Sequence, residues 1–281
     1  MSITALLLLA LVQGITEFLP ISSSGHLILM REFGADAGLD TEGANANAEL
    51  VMDVALHVGT LLAVILYVWR DLFQIAGGLV QGALGRREGG WHLAWQVALA
   101  TIPVIIIGFL AKDLLTDNVR TVEIIGWTTL IFGILLWAAD RVADKLPLEN
   151  LGYGRALLIG FAQVLALIPG VSRSGICMTM GRAVGLNRVD AARFALLLSI
   201  PTILGAGALA GLDLYAAGDV QLEQDALIGG LLAFVSAWLA IIFMMRWLKE
   251  ATFLPFVIYR LILGAIPVSY THLTLPTTEY V

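Results

Sequence analysis

The chain has 281 residues, of which 59% are hydrophobic and 14% are charged. Soluble domains carry about 25% charged residues, so this composition indicates an integral membrane protein. The formal net charge of -6 and the lack of a basic patch exclude nucleic acid as a partner, and the single cysteine, Cys177, excludes an intrachain disulfide or a cysteine-based metal cluster.

The first predicted element is an apolar stretch at about 3–30 that a polar, proline-containing segment interrupts. The segment reads Gln13-Gly-Ile-Thr-Glu17-Phe-Leu-Pro20-Ile-Ser22-Ser23-Ser24-Gly25-His26. The stretch has no basic leader and no small-residue cleavage site, so we expect mature structure rather than a signal peptide. Because the break frees backbone groups that must be satisfied inside the protein, the stretch predicts a re-entrant helical hairpin.

Six further segments are long and apolar enough to cross a membrane, since a spanning helix needs roughly 20 apolar residues. In chain order they lie at about 50–69, 94–111, 122–140, 190–212, 226–247 and 253–268. A second interrupted stretch, at about 155–185, lies between the third and the fourth and predicts a second hairpin. The expected fold class is an all-α integral membrane protein with six transmembrane helices and two re-entrant helical hairpins.

The polar segment of the second stretch repeats the first at an offset of 150 residues. It reads Gln163-Val-Leu-Ala-Leu167-Ile-Pro169-Gly170-Val-Ser172-Arg173-Ser174-Gly175. Each half then has one hairpin and three spans, and this odd number of crossings inverts the second half. We predict an inverted-topology repeat in a single membrane domain, 1–266, with halves at about 1–140 and 155–266. Broken helices in corresponding positions of two halves indicate a site between them.

The basic residues predict the orientation of this domain through the positive-inside rule. If the 70–92 loop is cytoplasmic, eleven basic residues share its side: Arg70, Arg86, Arg87, Arg141, Lys145, Arg155, Arg182, Arg188, Arg193, Arg246 and Lys249. Arg31, Lys112 and Arg120 lie on the other side, where both termini are expected. The polar, unpatterned segment 267–281 is predicted to be a disordered or non-native tail.

Glu17 is the first candidate functional residue. It follows Gln13 by four residues, so both side chains project from one face of the first half-helix. An ionisable residue at membrane depth is costly and indicates a functional site by default. The alternative is that Glu17 lies at the membrane surface and is solvated there.

The two loops are candidate phosphate-binding turns, because small polar residues ahead of a helix can expose several N–H and hydroxyl groups. The residues concerned are Ser22, Ser23, Ser24, Gly25, Ser172, Ser174 and Gly175. Arg173 adds a guanidinium fork that matches phosphate oxygens. The alternatives are that the loops are ordinary polar turns and that Arg173 extends to the membrane surface.

Further titratable residues accompany these loops. His26 can act as a general acid or base near neutral pH. Asp53 and His57 are four residues apart, so they either line the cavity or bind a metal, unless they form an ordinary helix-end pair. Arg260, inside the last span, is expected to anchor a phosphate or to pair with a carboxylate.

Taken together, these motifs resemble the bacterial undecaprenyl-diphosphate phosphatase family, which is also known for bacitracin resistance. The resemblance rests on three segments and covers about residues 1–266: Gln13-x-x-x-Glu17, Pro20-x-Ser22-Ser23-Ser24-Gly25-His26 and Pro169-Gly170-x-Ser172-Arg173-Ser174-Gly175. The chain departs from the family pattern at Gln13, where glutamate is more familiar, at His57, where glutamine is expected, and in its tail.

The resemblance implies an inner-membrane enzyme that removes the terminal phosphate of a C55 isoprenyl diphosphate on the periplasmic side, which recycles the carrier for cell-wall polymers. It also implies an inverted-repeat fold and a divalent cation, Mg²⁺ or Ca²⁺. The residues carried over as catalytic are Glu17, Ser23, His26 and Arg173, with Gln13, Ser22 and Ser24 beside them. Membrane lipids surround such an enzyme. Its oligomeric state is left open between a monomer and a homodimer.

A mechanism follows as a hypothesis. Arg173 and the loop N–H groups hold the diphosphate, and the cation lies on Glu17, with Gln13 and Asp53 as further metal ligands. Three attacking groups remain open: Ser23 with His26 as its base, water activated by His26, or His26 itself.

Two other interpretations compete with this family assignment. Inverted repeats with broken helices are typical of secondary transporters, so an isoprenyl-phosphate transporter or flippase is the main alternative. A second lipid phosphatase family also has a Ser-Gly-His motif, but it needs a later histidine, and no histidine occurs between His92 and His272.

Overall fold

A computed structural model describes residues 2–36, 46–87, 89–111, 121–144, 146–217 and 224–274. These residues are helical apart from short connections, and the only β pairing among them is an isolated bridge between Leu146 and Leu186. The described residues form eleven α-helices, in chain order α1 (Ile3–Phe18), α2 (Ser23–Asp36), α3 (Ala46–Tyr67), α4 (Trp69–Ala83), α5 (Gly90–Leu110), α6 (Val122–Ala139), α7 (Tyr153–Val164), α8 (Arg173–Ala183), α9 (Arg188–Ala217), α10 (Gln224–Glu250) and α11 (Leu254–Thr274).

Five described helices are long and apolar enough to cross a membrane, which confirms the expectation of an all-α protein with several membrane-spanning helices. The candidate spans are Leu50–Tyr67, Gly90–Leu110, Val122–Ala139, Arg188–Ala208 and Gln224–Glu250. The sixth predicted span, 253–268, coincides with α11, whose apolar part is shorter.

Both interrupted stretches break where the sequence predicts. Helix α1 ends at Phe18, and Leu19 is extended because it precedes Pro20, which disfavours helical backbone in the residue before it. In the second stretch a 3₁₀ turn at Leu165–Leu167 leads into Gly170, whose φ of +88° favours glycine. A side chain at Gly170 would also collide with Thr128, since its Cβ would lie 2.0 Å from Oγ1.

Two segments differ from the sequence prediction. The 70–92 segment, expected as a loop, contains most of α4, which packs against α5, and Asp71 of α4 forms an ion pair with Arg193. The predicted tail begins as helix, since α11 continues through Pro267 to Thr274. Residues 275–281 lie outside the described residues, as do Lys112, Arg120 and Lys145 of the charge argument.

Helices of the first and the second half of the chain pack against each other. Helix α1 packs against α10 of the second half, α7 packs against α5 of the first, and α6 packs against α11. Glycine permits close approaches: a Cβ on Gly14 would lie 2.7 Å from the Ala233 carbonyl oxygen, and one on Gly160 would lie 2.4 Å from that of Ala100. Each half-helix is thereby fixed by the opposite half.

A buried arginine fixes the far end of α8. The Arg182 side chain is 1% exposed and donates hydrogen bonds to the carbonyl oxygens of Asp140 and Val142 and to the Asp144 carboxylate. Arg188 at the start of α9 donates to the Asp140 carboxylate at 2.6 Å. These contacts tie the connection after α6 to α8, whose first residue is Arg173.

Gly160→Ala tests the close packing of α7 on α5. The added methyl group would overlap the Ala100 carbonyl, so we expect the free energy of unfolding to fall by about 1–3 kcal/mol. Gly154→Ala is the matched control on the same helix, because nothing lies within 4 Å of a Cβ there. Thermal unfolding of the detergent-purified proteins measures both, and equal melting temperatures for the two variants would contradict the packing.

Candidate active site

The two loops meet at their tips. Ser174 Oγ at the start of α8 donates a hydrogen bond to the carbonyl oxygen of Leu19, 2.8 Å away in the first loop. Arg260 of α11 contacts both loops: Nη1 donates to Pro20 O at 3.2 Å and Nη2 donates to Gly170 O at 2.9 Å. These contacts bring the two polar loops to one place.

Arg260 neither anchors a phosphate nor pairs with a carboxylate, the two roles that the sequence predicts for it. Its side chain is fully buried and binds backbone carbonyl oxygens, including those of Thr129 and Val171, and no carboxylate accepts a hydrogen bond from it within the described part of the chain. A guanidinium directed at carbonyls serves as a clamp. Its expected role as a direct phosphate anchor is wrong in this geometry, because its donors are already used.

Each loop has the same local geometry. Ser22 and Ser172 both adopt φ of +73°, and each serine oxygen accepts a hydrogen bond from the N–H of a glycine three residues later, Gly25 at 3.4 Å and Gly175 at 3.1 Å. The serines thus cap α2 and α8. The N–H groups that begin these helices have no intrahelical partner, so both loops present donors suited to an anion.

Glu17 accepts hydrogen bonds from residues of both loops. Its Oε1 accepts a hydrogen bond from Arg173 Nη2 at 2.8 Å, and its Oε2 accepts from Ser23 Oγ at 2.7 Å and from Gln13 Nε2 at 3.0 Å. Glu17 is 8% exposed, so the alternative of a solvated surface residue does not hold. An acid of the first hairpin and a base of the second, 156 residues apart, form one ion pair.

Two polar atoms of this cluster have no hydrogen-bond partner in the described part of the chain. They are Gln13 Oε1, an acceptor, and Arg173 Nη1, a donor, and both are buried. Leaving a buried polar atom unpaired costs about 1–3 kcal/mol. Such atoms at a functional site indicate contacts that a ligand would complete.

A cavity of about 190 Å³ lies over this cluster. Its polar lining comes from both loops and includes Glu17, Ser23, Ser24, Ser172, Arg173 and His57. Its other walls are largely apolar, with Val104 of α5 and Ile203 of α9. Gln163, the counterpart of Gln13, also lines the cavity. The space suits a charged head group whose attached chain is hydrophobic.

His26 lies beside the cavity rather than in its lining. Its Nδ1 contacts the carbonyl oxygen of Ser22 at 2.6 Å and must donate, because a carbonyl only accepts. Nε2 of the neutral ring then accepts from the Tyr259 hydroxyl at 2.6 Å. Ser23 donates to Glu17 instead, so the structure does not bring the predicted Ser23–His26 pair together. Sequence reasoning did not single out Tyr259.

The predicted metal ligands are only partly assembled. Glu17 and Gln13 are adjacent, but of the three predicted ligands only Glu17 lines the cavity. The Asp53 carboxylate forms an ion pair with Arg31 at 2.7 Å. The described residues contain no group of three or more histidine, cysteine, aspartate or glutamate side chains able to hold a metal. Of the predicted metal ligands, only the Glu17 carboxylate and the Oε1 atom of Gln13 belong to adjacent side chains.

Known proteins match this chain over nearly its whole length. A model of the family described as bacitracin resistance protein BacA matches residues 6–266. Proteins named undecaprenyl-diphosphatase from Alteromonas mediterranea and Ruegeria pomeroyi are 48% and 47% identical, in alignments that cover 95% of this chain and 97% of each relative. One from Alcanivorax borkumensis is 48% identical over 92% of this chain and 95% of its own length. This chain belongs to the bacitracin resistance protein BacA family.

Proposed function

We infer that this chain is an undecaprenyl-diphosphate phosphatase that hydrolyses the terminal phosphate of a C55 isoprenyl diphosphate and so recycles the lipid carrier of cell-wall synthesis. The observation that carries the inference is the Glu17–Arg173 pair, which lies under a cavity lined by two anion-binding loops. Relatives of 46–48% identity bear the name of this enzyme. Their name favours hydrolysis over the transporter or flippase alternative.

We further propose that residues 1–266 form one domain of six spans and two re-entrant hairpins, related as inverted repeats at about 1–140 and 155–266. The matched loops and the exchange of α1 and α7 between the halves support this arrangement. The family resemblance implies an inner-membrane location with the site toward the periplasm, and the distribution of arginine and lysine supports an orientation with the 70–92 segment on the cytoplasmic side.

In the proposed mechanism the diphosphate enters between the loops, and Arg173 turns from Glu17 to the terminal phosphate. Arg173 Nη1, which has no hydrogen-bond partner among the described residues, and the N–H groups that begin α2 and α8 stabilise the charge that develops on the phosphoryl oxygens. Loss of the ion pair leaves the Glu17 carboxylate free to accept a proton, so substrate binding itself activates the site.

Among the three attacking groups left open by the sequence, the contacts favour Ser23. Its hydroxyl already donates to Glu17 at 2.7 Å, the arrangement of a nucleophile and its base. Oγ attacks the terminal phosphorus, its proton passes to Glu17, and the bond from phosphorus to the bridging oxygen breaks. The isoprenyl monophosphate leaves, and a phosphoserine remains for water to hydrolyse.

A divalent cation is also proposed, as the family resemblance implies. The unpartnered Oε1 of Gln13 next to the Glu17 carboxylate fits Mg²⁺ or Ca²⁺, which prefer oxygen ligands. Glu17 and Gln13 would hold the ion together with substrate oxygens, and the bound ion would neutralise phosphate charge. Asp53 would have to leave Arg31 to join them.

Arg173→Ala tests the role of the guanidinium. We expect kcat/KM for phosphate release from a C15 or C55 isoprenyl diphosphate to fall by about 10²–10³ or more, because one transition-state donor group is removed. Arg155→Ala, which changes an exposed arginine on α7, is the control and keeps full activity. Activity of the Arg173 variant above a tenth of the normal value would refute this site.

Ser23→Ala tests the covalent route. A substrate labelled in its terminal phosphate should transfer the label to Ser23 of the wild-type protein after acid quenching, and mass spectrometry should place it there. The Ser23 variant should carry no label, whereas Ser199→Ala, which alters a buried serine of α9, should remain labelled. Equal labelling of the Ser23 variant, or none in an active wild-type protein, would exclude Ser23 as the nucleophile.

A further inference from the structure

A second cavity lies at the end of α8 that is remote from the active site. It has a volume of about 480 Å³ and is lined by residues at the ends of α6 and α8 and at the starts of α9 and α11. Its charged lining residues are Arg141, Arg182, Arg188, Asp140 and Asp144. The three arginines belong to the set that the positive-inside rule places on the cytoplasmic side. The proposed hydrolysis makes no use of this cavity.

Both acids of this cavity already have basic partners. Asp140 accepts a hydrogen bond from Arg188 Nε at 2.6 Å, and its carboxylate lies 3.5 Å from Arg182 Nε. The Asp144 carboxylate accepts a hydrogen bond from Arg182, whose side chain is almost fully buried. Arg182 and Arg188 therefore balance the charges of the two acids. The positive charge of Arg141 remains.

The guanidinium of Arg141 is held in place without using its N–H groups. It lies over the ring of Trp137, with Cζ 3.3 Å from the ring centre, and no described residue accepts a hydrogen bond from it. Stacking on an aromatic ring fixes the plane of a guanidinium, and the N–H groups lie in that plane. Such a group is suited to bind two phosphate oxygens at once.

The start of α11 also favours an anion in this cavity. Thr252 and Leu254 line it, and Thr252 Oγ1 caps the helix by accepting a hydrogen bond from the Leu254 N–H at 3.2 Å. Helix α11 has 21 residues, and the N-terminus of a helix carries a partial positive charge. Arg141 and this helix start line one cavity, so both favour a phosphate group there.

The apolar part of the lining indicates which kind of phosphate fits. Trp137 and Leu254 line the cavity and are 39% and 45% exposed. The exposed side chains of Ile134 and Ile258 continue the same faces of α6 and α11, and these two helices pack against each other. An apolar surface therefore leads away from the cavity along both helices. A free phosphate ion would leave it bare, whereas the acyl chains of a phospholipid would cover it.

We propose that this cavity binds the head group of an anionic phospholipid whose acyl chains lie along α6 and α11. Arg141 and the N-terminus of α11 hold the phosphate oxygens. Trp137 lies between the head group and the chains, at the depth where tryptophan is enriched in membrane proteins. The cavity favours an anionic lipid over a zwitterionic one, because one positive charge remains after the two acids are balanced. The lipid bridges the end of α6 and the start of α11.

Native mass spectrometry of the detergent-purified full chain tests this site, with phosphatidylglycerol and phosphatidylcholine of equal chain length as probes. We expect the wild-type protein to bind phosphatidylglycerol more tightly. Arg141→Gln should weaken that binding by about fivefold or more, since one basic contact is removed, and should leave phosphatidylcholine binding unchanged. Leu254→Glu should weaken it as well, because the new carboxylate repels phosphate, although an acid in the first turn favours the helix itself.

Arg70→Gln is the matched control, because Arg70 also lies over a tryptophan, with Cζ 5.3 Å from the ring centre of Trp69, but does not line the cavity. It should bind phosphatidylglycerol as the wild-type protein does. Unchanged binding in either Arg141→Gln or Leu254→Glu overturns the proposal, as does an equal loss in Arg70→Gln. Displacement of phosphatidylglycerol by an equal concentration of glycerol 1-phosphate overturns it too, since the site would then be one for a free phosphate.

Discussion

The structure depends on one buried cation. Arg260 is fully buried, and its guanidinium binds carbonyl oxygens of both loops and of α6. A buried charge is tolerated only when its donors are satisfied, and here the loop carbonyls satisfy them. Because these carbonyls turn toward Arg260, the N–H groups that begin α2 and α8 remain for the cavity.

The two loops have the same backbone conformation but contribute different functional side chains. Ser22 and Ser172 adopt the same positive φ and cap the following helices alike. The first loop then adds an acid and the second a guanidinium, so neither hairpin alone makes the site. Glu17 accepts a hydrogen bond from Arg173, and in the proposed mechanism a phosphate competes for that arginine. In that mechanism the ion pair links substrate binding to activation of the Glu17 carboxylate.

Much of this arrangement follows from the sequence, because its causes are local or repeated. Proline and glycine predict both helix breaks, and the 150-residue offset predicts that Glu17 and Arg173 meet. Other features depend on distant partners. His26 and Tyr259 are 233 residues apart, and no local pattern links them. Arg260 could be assigned to carbonyls only after the loop conformation was known. Helix α4 was missed because its glycines and flanking arginines favour a loop.

The central claim is that the tips of the two hairpins adjoin in the folded protein. Cross-linking tests it most directly, in a protein with Cys177→Ala and with cysteines in place of Glu17 and Arg173. A reagent that spans roughly 11 Å, about two helical turns, should join the two positions in a single chain, and mass spectrometry should find the linked peptides. Cysteines that each react with a single-ended reagent but never join would contradict the account.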